Sequence, residues 1–454
     1  MQEIRSRIQP FIGSRSFYKG ALAVMLPVTI KQLINSMFNM VDNVMVGSLD
    51  LQGLAMTAVS VANKPFNIFS GIIFGLMGAG GLLISQYFGA NDRKTCIGLF
   101  WMQMLVSIAS SVLMCATLFF APTLMMRIFV TDERTIALGV KYMQIVCFSY
   151  VPAAVSSTCS FSLSSIGRNS ESMLVSLGSM AVNAVCNYVL IFGKLGFPAL
   201  GVEGAALGTL LARLFEMAIY LTLMLRRRMY FDFEPLALVK LRSAVKRAFA
   251  MKALPLIGNE LLFNFGINLY FWCYARLDEA ALPALTIAEL CYQISAVIIM
   301  GNSSAVSVLI GKELGAGGLQ RAGDNCKKLL TLTLVIGLAC VVLCCGLAFV
   351  IPLAYSVSDE LRALATRIAC VMAAFAPFSF VYGFCFFCLR AGGDTRAAML
   401  LDSGYMWLVP VPASVLMALL LPGKLPMIAA VLIVQVLMNA KIILALRVLK
   451  KGKW

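Results

Sequence analysis

Residues 26–47 read LPVTIKQLINSMFNMVDNVMVG, and the reading of this stretch decides the fold. It is apolar over the about 20 residues that a helix needs to cross a bilayer. Yet it carries Lys31, Asn35, Asn39 and Asp42, spaced +4, +4 and +3. At about 100° per residue these four side chains share one helical face. A charge at bilayer depth costs several kcal/mol unless it faces a polar interior, so such a stripe marks a lined cavity or pathway. Asn35 and Asn39 alone would read as a seam that glues helices together. Lys31 and Asp42 on the same face tip the set toward a cavity.

The rest of the chain agrees. It has 454 residues, 60% of them hydrophobic and 13% charged, with a mean hydropathy of +0.88. Soluble domains are about 45–50% apolar and about 25% charged. Twelve apolar segments follow one another, at about 22–46, 54–86, 97–121, 138–165, 172–193, 203–225, 253–275, 282–309, 327–351, 363–389, 395–420 and 426–446. The fold class implied is an all-α polytopic membrane protein with twelve transmembrane helices. With the amino terminus in the cytoplasm, inner loops hold 25 Lys and Arg, Arg390 among them, and outer loops hold eight. That bias places both termini inside a cytoplasmic (inner) membrane and suits an even helix count. The net charge of +16 is then topology and contact with anionic membrane lipids, not a nucleic-acid surface. Four cations lie mid-span: Lys31, Lys64, Arg213 and Lys441. Arg213 has Glu216 one turn away as a partner, and Lys441 reads as a long side chain reaching inward to the headgroups. The polar, basic residues 1–20 precede an apolar run with no small-residue cleavage site, which reads as a retained first span.

The two halves resemble each other. Leu26-Pro27 matches Leu254-Pro255, SQYFGAND (85–92) matches GKELGAGG (311–318), Thr131-Asp132-Glu133 matches Ser358-Asp359-Glu360, and SSIGRNS around Gly167 matches LRAGGDT around Gly392. An offset of 225 to 230 sustained over six spans is a duplicated six-helix unit. Six being even, both copies enter from one side, which implies two six-helix bundles related by a pseudo-two-fold axis along the membrane normal. The expected lobes are residues 1–225 and 253–454, joined by an inner linker, 226–252. Its interleaved apolar and basic residues suit a short amphipathic helix on the inner leaflet, or, over the first third, a solvated linker.

Polar positions recur in matched spans. Glu260, Asn264 and Asn268 fall on Lys31, Asn35 and Asn39 at an offset of 229. Asn63 and Asn67 fall on Glu289 and Gln293 at 226. Helix 5 adds Asn183 and Asn187, helix 11 Asp402 with Tyr405, and helix 12 Gln435 with Asn439. A wet interior lined by few acids and many amides suits cation handling. Sodium wants hard oxygen ligands, and Asp42, Asn183, Asn187 and Thr209 supply such a set if helices 1, 5 and 6 meet. A buried aspartate equally suits a proton, because desolvation raises its pKa. The coupling ion, H+ or Na+, stays open, and no other cofactor or metal is implied.

Enzyme chemistry has little footing: the chain contains no His, no phosphate-cradling loop with a following Lys-Ser or Lys-Thr, no HExxH and no GxSxG. GLMGAGG (75–81) reads as close helix packing or a bending point. The fourteen cysteines sit almost all in apolar segments, where they act as small hydrophobes; Cys385 and Cys388 have CxxC spacing but lie mid-helix.

MVDNVMVG with the downstream QYFGANDR, the paired Leu-Pro starts and the duplication resemble the multidrug and toxic compound extrusion (MATE) transporters of the MOP flippase superfamily, over about residues 20–446. NELLFNFG (259–266) is similar to one prokaryotic branch. The resemblance implies a cation-coupled antiporter that expels lipophilic, often cationic compounds by alternating access of two lobes around a cleft. It carries Asp42, Asn183 and Thr209 over as cation-site positions. Asn187 stands where several members have aspartate, and the branch's helix 10 acid has no counterpart between Cys370 and Leu389, where Asp402 one helix later is the candidate substitute. Lys31, Asn35, Asn39, Asn63, Asn67, Glu260, Asn264, Asn268, Glu289, Gln293, Asp402 and Tyr405 are the expected cavity residues, with Glu260, Glu289 or Asp402 matching the charge of a small-molecule substrate. Lys31 reads either as a neutraliser of Glu260 or as a headgroup contact. A lipid-linked oligosaccharide flippase of the same superfamily and a channel or scaffold are the competing readings. A monomer is expected.

Overall fold

The computed structural model describes residues 11–47, 54–128, 132–226, 230–278, 280–354 and 358–450. The side chains of Asn35, Asn39, Asp42 and Asn67 lie outside this set. Among the described residues the ordered backbone is helical and no strand occurs. The first six predicted segments become α1 (Arg15–Gly47), α2 (Leu54–Ala62) with α3 (Lys64–Gly89), α4 (Arg93–Phe120), α6 (Glu133–Val146) with α7 (Tyr150–Ser165), α8 (Asn169–Phe192) and α9 (Val202–Leu225); a short α5 (Pro122–Arg127) lies between. The last six become α11 (Ser243–Leu277), α12 (Leu282–Gly315), α13 (Leu319–Val350), α14 (Asp359–Ala374) with α15 (Ala376–Gly392), α16–α18 (Thr395–Met399, Tyr405–Leu408, Pro410–Leu420) and α19 (Met427–Lys450). Ten of these runs are long and apolar enough to span a membrane, and α14 with α15, bent by 43°, makes eleven. The remaining segment, α11, is 35 residues long. Asn259, Glu260, Asn264 and Asn268 hold its hydropathy down.

Short repeated motifs turn out to be helix caps. Asp132 accepts from the Thr135 amide and starts α6; in the matching motif of the second copy the cap falls one position earlier, where Ser358 accepts from the Leu361 amide and starts α14. Asp92 of QYFGANDR accepts from the Thr95 amide and hydroxyl at 3.1 and 2.7 Å, starting α4. Each satisfies an amide that a helix's first turn leaves without an internal partner.

The chain divides into two compact units: Ile30–Phe88 with Asp92–Ala253, and Met1–Thr29 with Gly89–Asn91 and Leu254–Trp454. In the first, α8 and α9 pack backbone to backbone. A Cβ at Gly204 would lie 2.6 Å from the Leu190 carbonyl oxygen, and one at Gly208 would fall on Oδ1 of Asn187. The spacing G-x-x-x-G in GAALG is what lets the helices approach.

The linker also belongs to this unit. From residue 230 on, its first third is docked, not solvated: Phe231 is fully buried and stacks on Phe100 at 4.8 Å, Trp101 Nε1 donates to the Asp232 carbonyl, and Arg93 pairs with Asp232 at 2.9 Å. Burial pushes the Tyr230 phenol up to about 12. The expected amphipathic helix reduces to one turn, α10 (Ala237–Lys240), and α11 begins at Ser243, well before the predicted 253.

In the second unit α12 packs against α13, α14 and α15. One core gathers Tyr270, Leu285, Met372, Met406 and Val431; a second gathers Ile310, Leu329, Phe384, Cys388 and Leu389. All fourteen cysteines are unbridged.

Candidate functional site

Each unit buries its own polar network. In the second unit the helix after α16 widens into a π-turn, Leu400–Gly404, before α17 resumes. Consecutive α-helical residues diverge by about 100°. Here Asp402 and Ser403 both turn inward, 8% and 0% exposed. Asn259 of α11 joins the two. Its Nδ2 donates to Asp402 Oδ2 at 3.1 Å, while its Oδ1 accepts from the Ser403 hydroxyl at 2.7 Å. Asp402 Oδ1 accepts from Lys441 Nζ of α19 at 2.7 Å and from the Tyr382 hydroxyl of α15 at 3.0 Å. The Lys441 ammonium also lies 3.8 Å from the centre of the Tyr382 ring. One residue along α11, Glu260 pairs with Arg390 at 3.7 Å, whose guanidinium stands over the Phe386 and Phe387 rings at 5.3 and 5.1 Å.

Three sequence expectations are corrected here. Lys441 does not reach for headgroups, since it is 4% exposed and bound to Asp402. Arg390 is not a loop cation; it is 5% exposed, near the end of α15. Glu260, for which the sequence offered Lys31 as neutraliser, has Arg390 as its cation within its own unit. The reason is common to all three: a carboxylate inside an apolar bundle draws the nearest long basic side chain inward, because either charge alone would be costly.

In the first unit Lys31 donates to Ser160 and Ser172 at 2.6 and 3.1 Å, which also removes the headgroup reading. Ser160 and Ser172 bond each other, and the Tyr220 hydroxyl donates to Ser172 at 3.4 Å. Beyond them Ser176 donates to Glu216, which pairs with Arg213 at 3.0 Å as the spacing predicts. Asn187 is buried in α8 against Gly208, next to Thr209 of α9. The Thr209 hydroxyl donates to the Ala205 carbonyl at 3.1 Å, leaving its lone pairs as acceptors. Asn183 is half-buried on the same helix. Asn63 accepts from the Tyr142 hydroxyl at 3.4 Å. Asp42, Asn35, Asn39 and Asn67 fall outside the described side chains.

Of the remaining expected residues, Asn264 and Asn268 are exposed on α11 and donate to their own helix at Glu260 and Asn264 carbonyls. Asn268 lines an open groove of about 470 Å³ with Phe265, Trp272 and Trp407. Glu289 is half-buried and Gln293 exposed on α12. Tyr405 donates to the Leu437 carbonyl at 3.0 Å, and Asn439 ties Gln435 to Ser379.

Sequence reading missed Asn259 and Tyr382, took Glu216 only as the partner of Arg213, and misplaced Arg390 and Lys441. The repeat offset carried a usable signal. Lys441 lies 225 residues after Glu216 and Asp402 226 after Ser176. The Ser176–Glu216 contact of one copy is thus the Asp402–Lys441 contact of the other. Together with Lys31 and Glu260, the sign of charge is exchanged between copies at two positions.

Apolar spans in two bundles, each burying charge and amides against its own helices, define a polytopic membrane protein of twelve helices. The MatE family model matches twice, at residues 27–189 and 255–416, one match per copy, and the chain belongs to this family. It is 23% identical to the uncharacterized transporter YisQ of Bacillus subtilis, covering 80% of this chain and 79% of that one. It is 26% identical to a probable multidrug resistance protein NorM of Halalkalibacterium halodurans, covering 70% and 69%. Among solved structures it matches, at a TM-score of 0.85, 16% identity and 98% of both chains, a MOP superfamily transporter from Pyrococcus furiosus described as having a binding pocket of reversed polarity. A multidrug resistance MATE family transporter in an outward-facing conformation matches equally, with 98% of both chains covered. These last two likenesses speak for the fold.

Proposed function

We propose that the protein is a multidrug efflux antiporter, driven by H+ or Na+, that exports organic compounds by alternating access. The observation that carries this is family membership over both copies, together with charged and amide side chains buried in each bundle. Asp42 is the coupling acid, with Asn183, Asn187 and Thr209 as its oxygen partners. A ligand shifts a two-state equilibrium only by its differential affinity for the two states. Substrate and cation therefore compete, and loss of the acid uncouples them. Since Glu260 and Asp402 already hold cations, the acid left to match a cationic substrate is Glu289, which forms no ion pair among the described residues.

The test is dye efflux from proteoliposomes under proton and sodium gradients imposed separately. Saturable uphill transport with one gradient, lost in D42N, is expected. D42N with full transport and unchanged ion dependence would refute the assignment.

One observation favours a second reading, an anionic cargo such as a lipid-linked oligosaccharide: Lys31 donates to hydroxyls and forms no ion pair among the described residues. K31A should then lose anionic substrates and keep cationic ones; an unchanged substrate profile retires this reading.

A further inference from the structure

The second unit contains a complete recognition set for an organic ammonium, and the chain fills it itself. A carboxylate and an aromatic face together are what a primary ammonium selects: charge-assisted hydrogen bonding from one side, the ring quadrupole from the other. Asp402 and Tyr382 supply both to Lys441 Nζ, at 2.7 Å from the oxygen and 3.8 Å from the ring centre. The carboxylate is held in place by independent donors, Asn259 to Oδ2 and the Tyr382 hydroxyl to Oδ1, so its position does not depend on Lys441 alone. The pattern repeats one turn along α15, where Arg390 stands over Phe386 and Phe387 and pairs with Glu260. In the other copy the position of Lys441 is taken by Glu216. The cation is therefore a property of this half and not of the repeat.

We infer that the Lys441 ammonium is a tethered occupant of a cation site formed by Asp402, Tyr382 and Asn259. It closes that site to external ammonium compounds and leaves the C-terminal bundle with no acid free for a cationic ligand at this position. Removing the tether while keeping the acid exposes the site to a small primary ammonium of the length removed. This holds whichever residue couples transport, and its test reads binding, not transport.

Purified K441A lacks the propylammonium portion of the side chain, so propylammonium chloride is the probe, with sodium chloride and choline chloride at equal ionic strength as comparisons. All variants are made in the D42N background, so that a response at Asp42 does not enter. Relative to the parent, K441A should melt about 3–5 °C lower, as expected for one partner of a buried pair left alone. Propylammonium should recover a saturable part of that loss, with no such gain in the parent. D402N/K441A should melt closer to the parent and ignore propylammonium. A K441A protein that gains nothing from propylammonium overturns the inference, as does one rescued equally by sodium. If K441A does not fold in choline, folding in propylammonium supports the site, and folding only when D402N is added overturns it.

Discussion

At Glu260 and Arg390 the cost of a buried ion pair is visible in one contact. Both side chains are largely removed from solvent, so truncating one strands the other; breaking such a pair costs about 3–5 kcal/mol, whereas replacing both by apolar groups is close to neutral. E260Q should therefore lower unfolding stability by about that amount, and E260Q/R390M should recover most of it, as thermal melts of the purified proteins will show. Sequence position hides this partnership. Arg390 stands three residues before a glycine turn, where a basic residue reads as an inner-loop charge, and nothing local announces that α15 continues to Gly392.

Asp92 is the opposite case, since its partner lies three residues along the same short motif. Thr95 donates to its carboxylate and holds the Asp92 pKa below the ordinary aspartate value. A carboxyl depressed on folding contributes stability that is complete above its unfolded pKa and is lost as pH falls through the folded one. Stability should thus decline on acidification below about pH 4. D92A should cost about 0.5–2 kcal/mol at neutral pH. In D92N, the contribution of this residue to the acid-side decline should vanish, which melting temperatures measured across pH will register.

Among elements, the α8–α9 pair is the most exacting, because its closeness rests on two glycines with different neighbours. At Gly204 a Cβ meets a backbone carbonyl at 2.6 Å, which cannot move without parting the helices; at Gly208 it first meets the side-chain amide of Asn187, which can rotate, and then the Asn187 backbone nitrogen at 3.1 Å, which needs only a few tenths of an ångström of give. G204A should accordingly reduce folded protein in the membrane, with a loss of roughly 1–3 kcal/mol for an overpacked contact. G208A should cost less stability than G204A and impair ion-dependent transport by displacing Asn187. Comparing expression and melting with efflux separates the two, and equal effects on stability would contradict this division of roles. Most of the element plan was legible, since apolar length alone set twelve segments and each has a helix. What sequence periodicity did not carry was the π-turn at Leu400–Gly404. It shifts the register by one residue and brings Asp402 and Ser403 to one side, which no regular period predicts.

For the whole molecule, the proposed orientation, with both termini inside, rests on charge. Moving Arg390 from the loops into a bundle leaves 24 basic residues assigned to the inner side against eight outside, so the bias survives the correction. The rule acts on short loops near span ends, and the heaviest cluster, on the segment around Arg226–Lys252, includes residues of the docked linker and the first turns of α11. An even number of spans then brings the carboxyl end back to the starting side. A fluorescent protein that matures only in the cytoplasm, fused after Trp454, should be bright, and an alkaline phosphatase active only outside, fused at the same point, should be silent. Fusions at Lys194, in the segment between α8 and α9, should give the reverse. A bright Lys194 fusion beside an active carboxyl-terminal phosphatase would invert the topology. The proposed coupling acid, Asp42, would then load from the opposite side of the membrane, and efflux would have to be read as uptake.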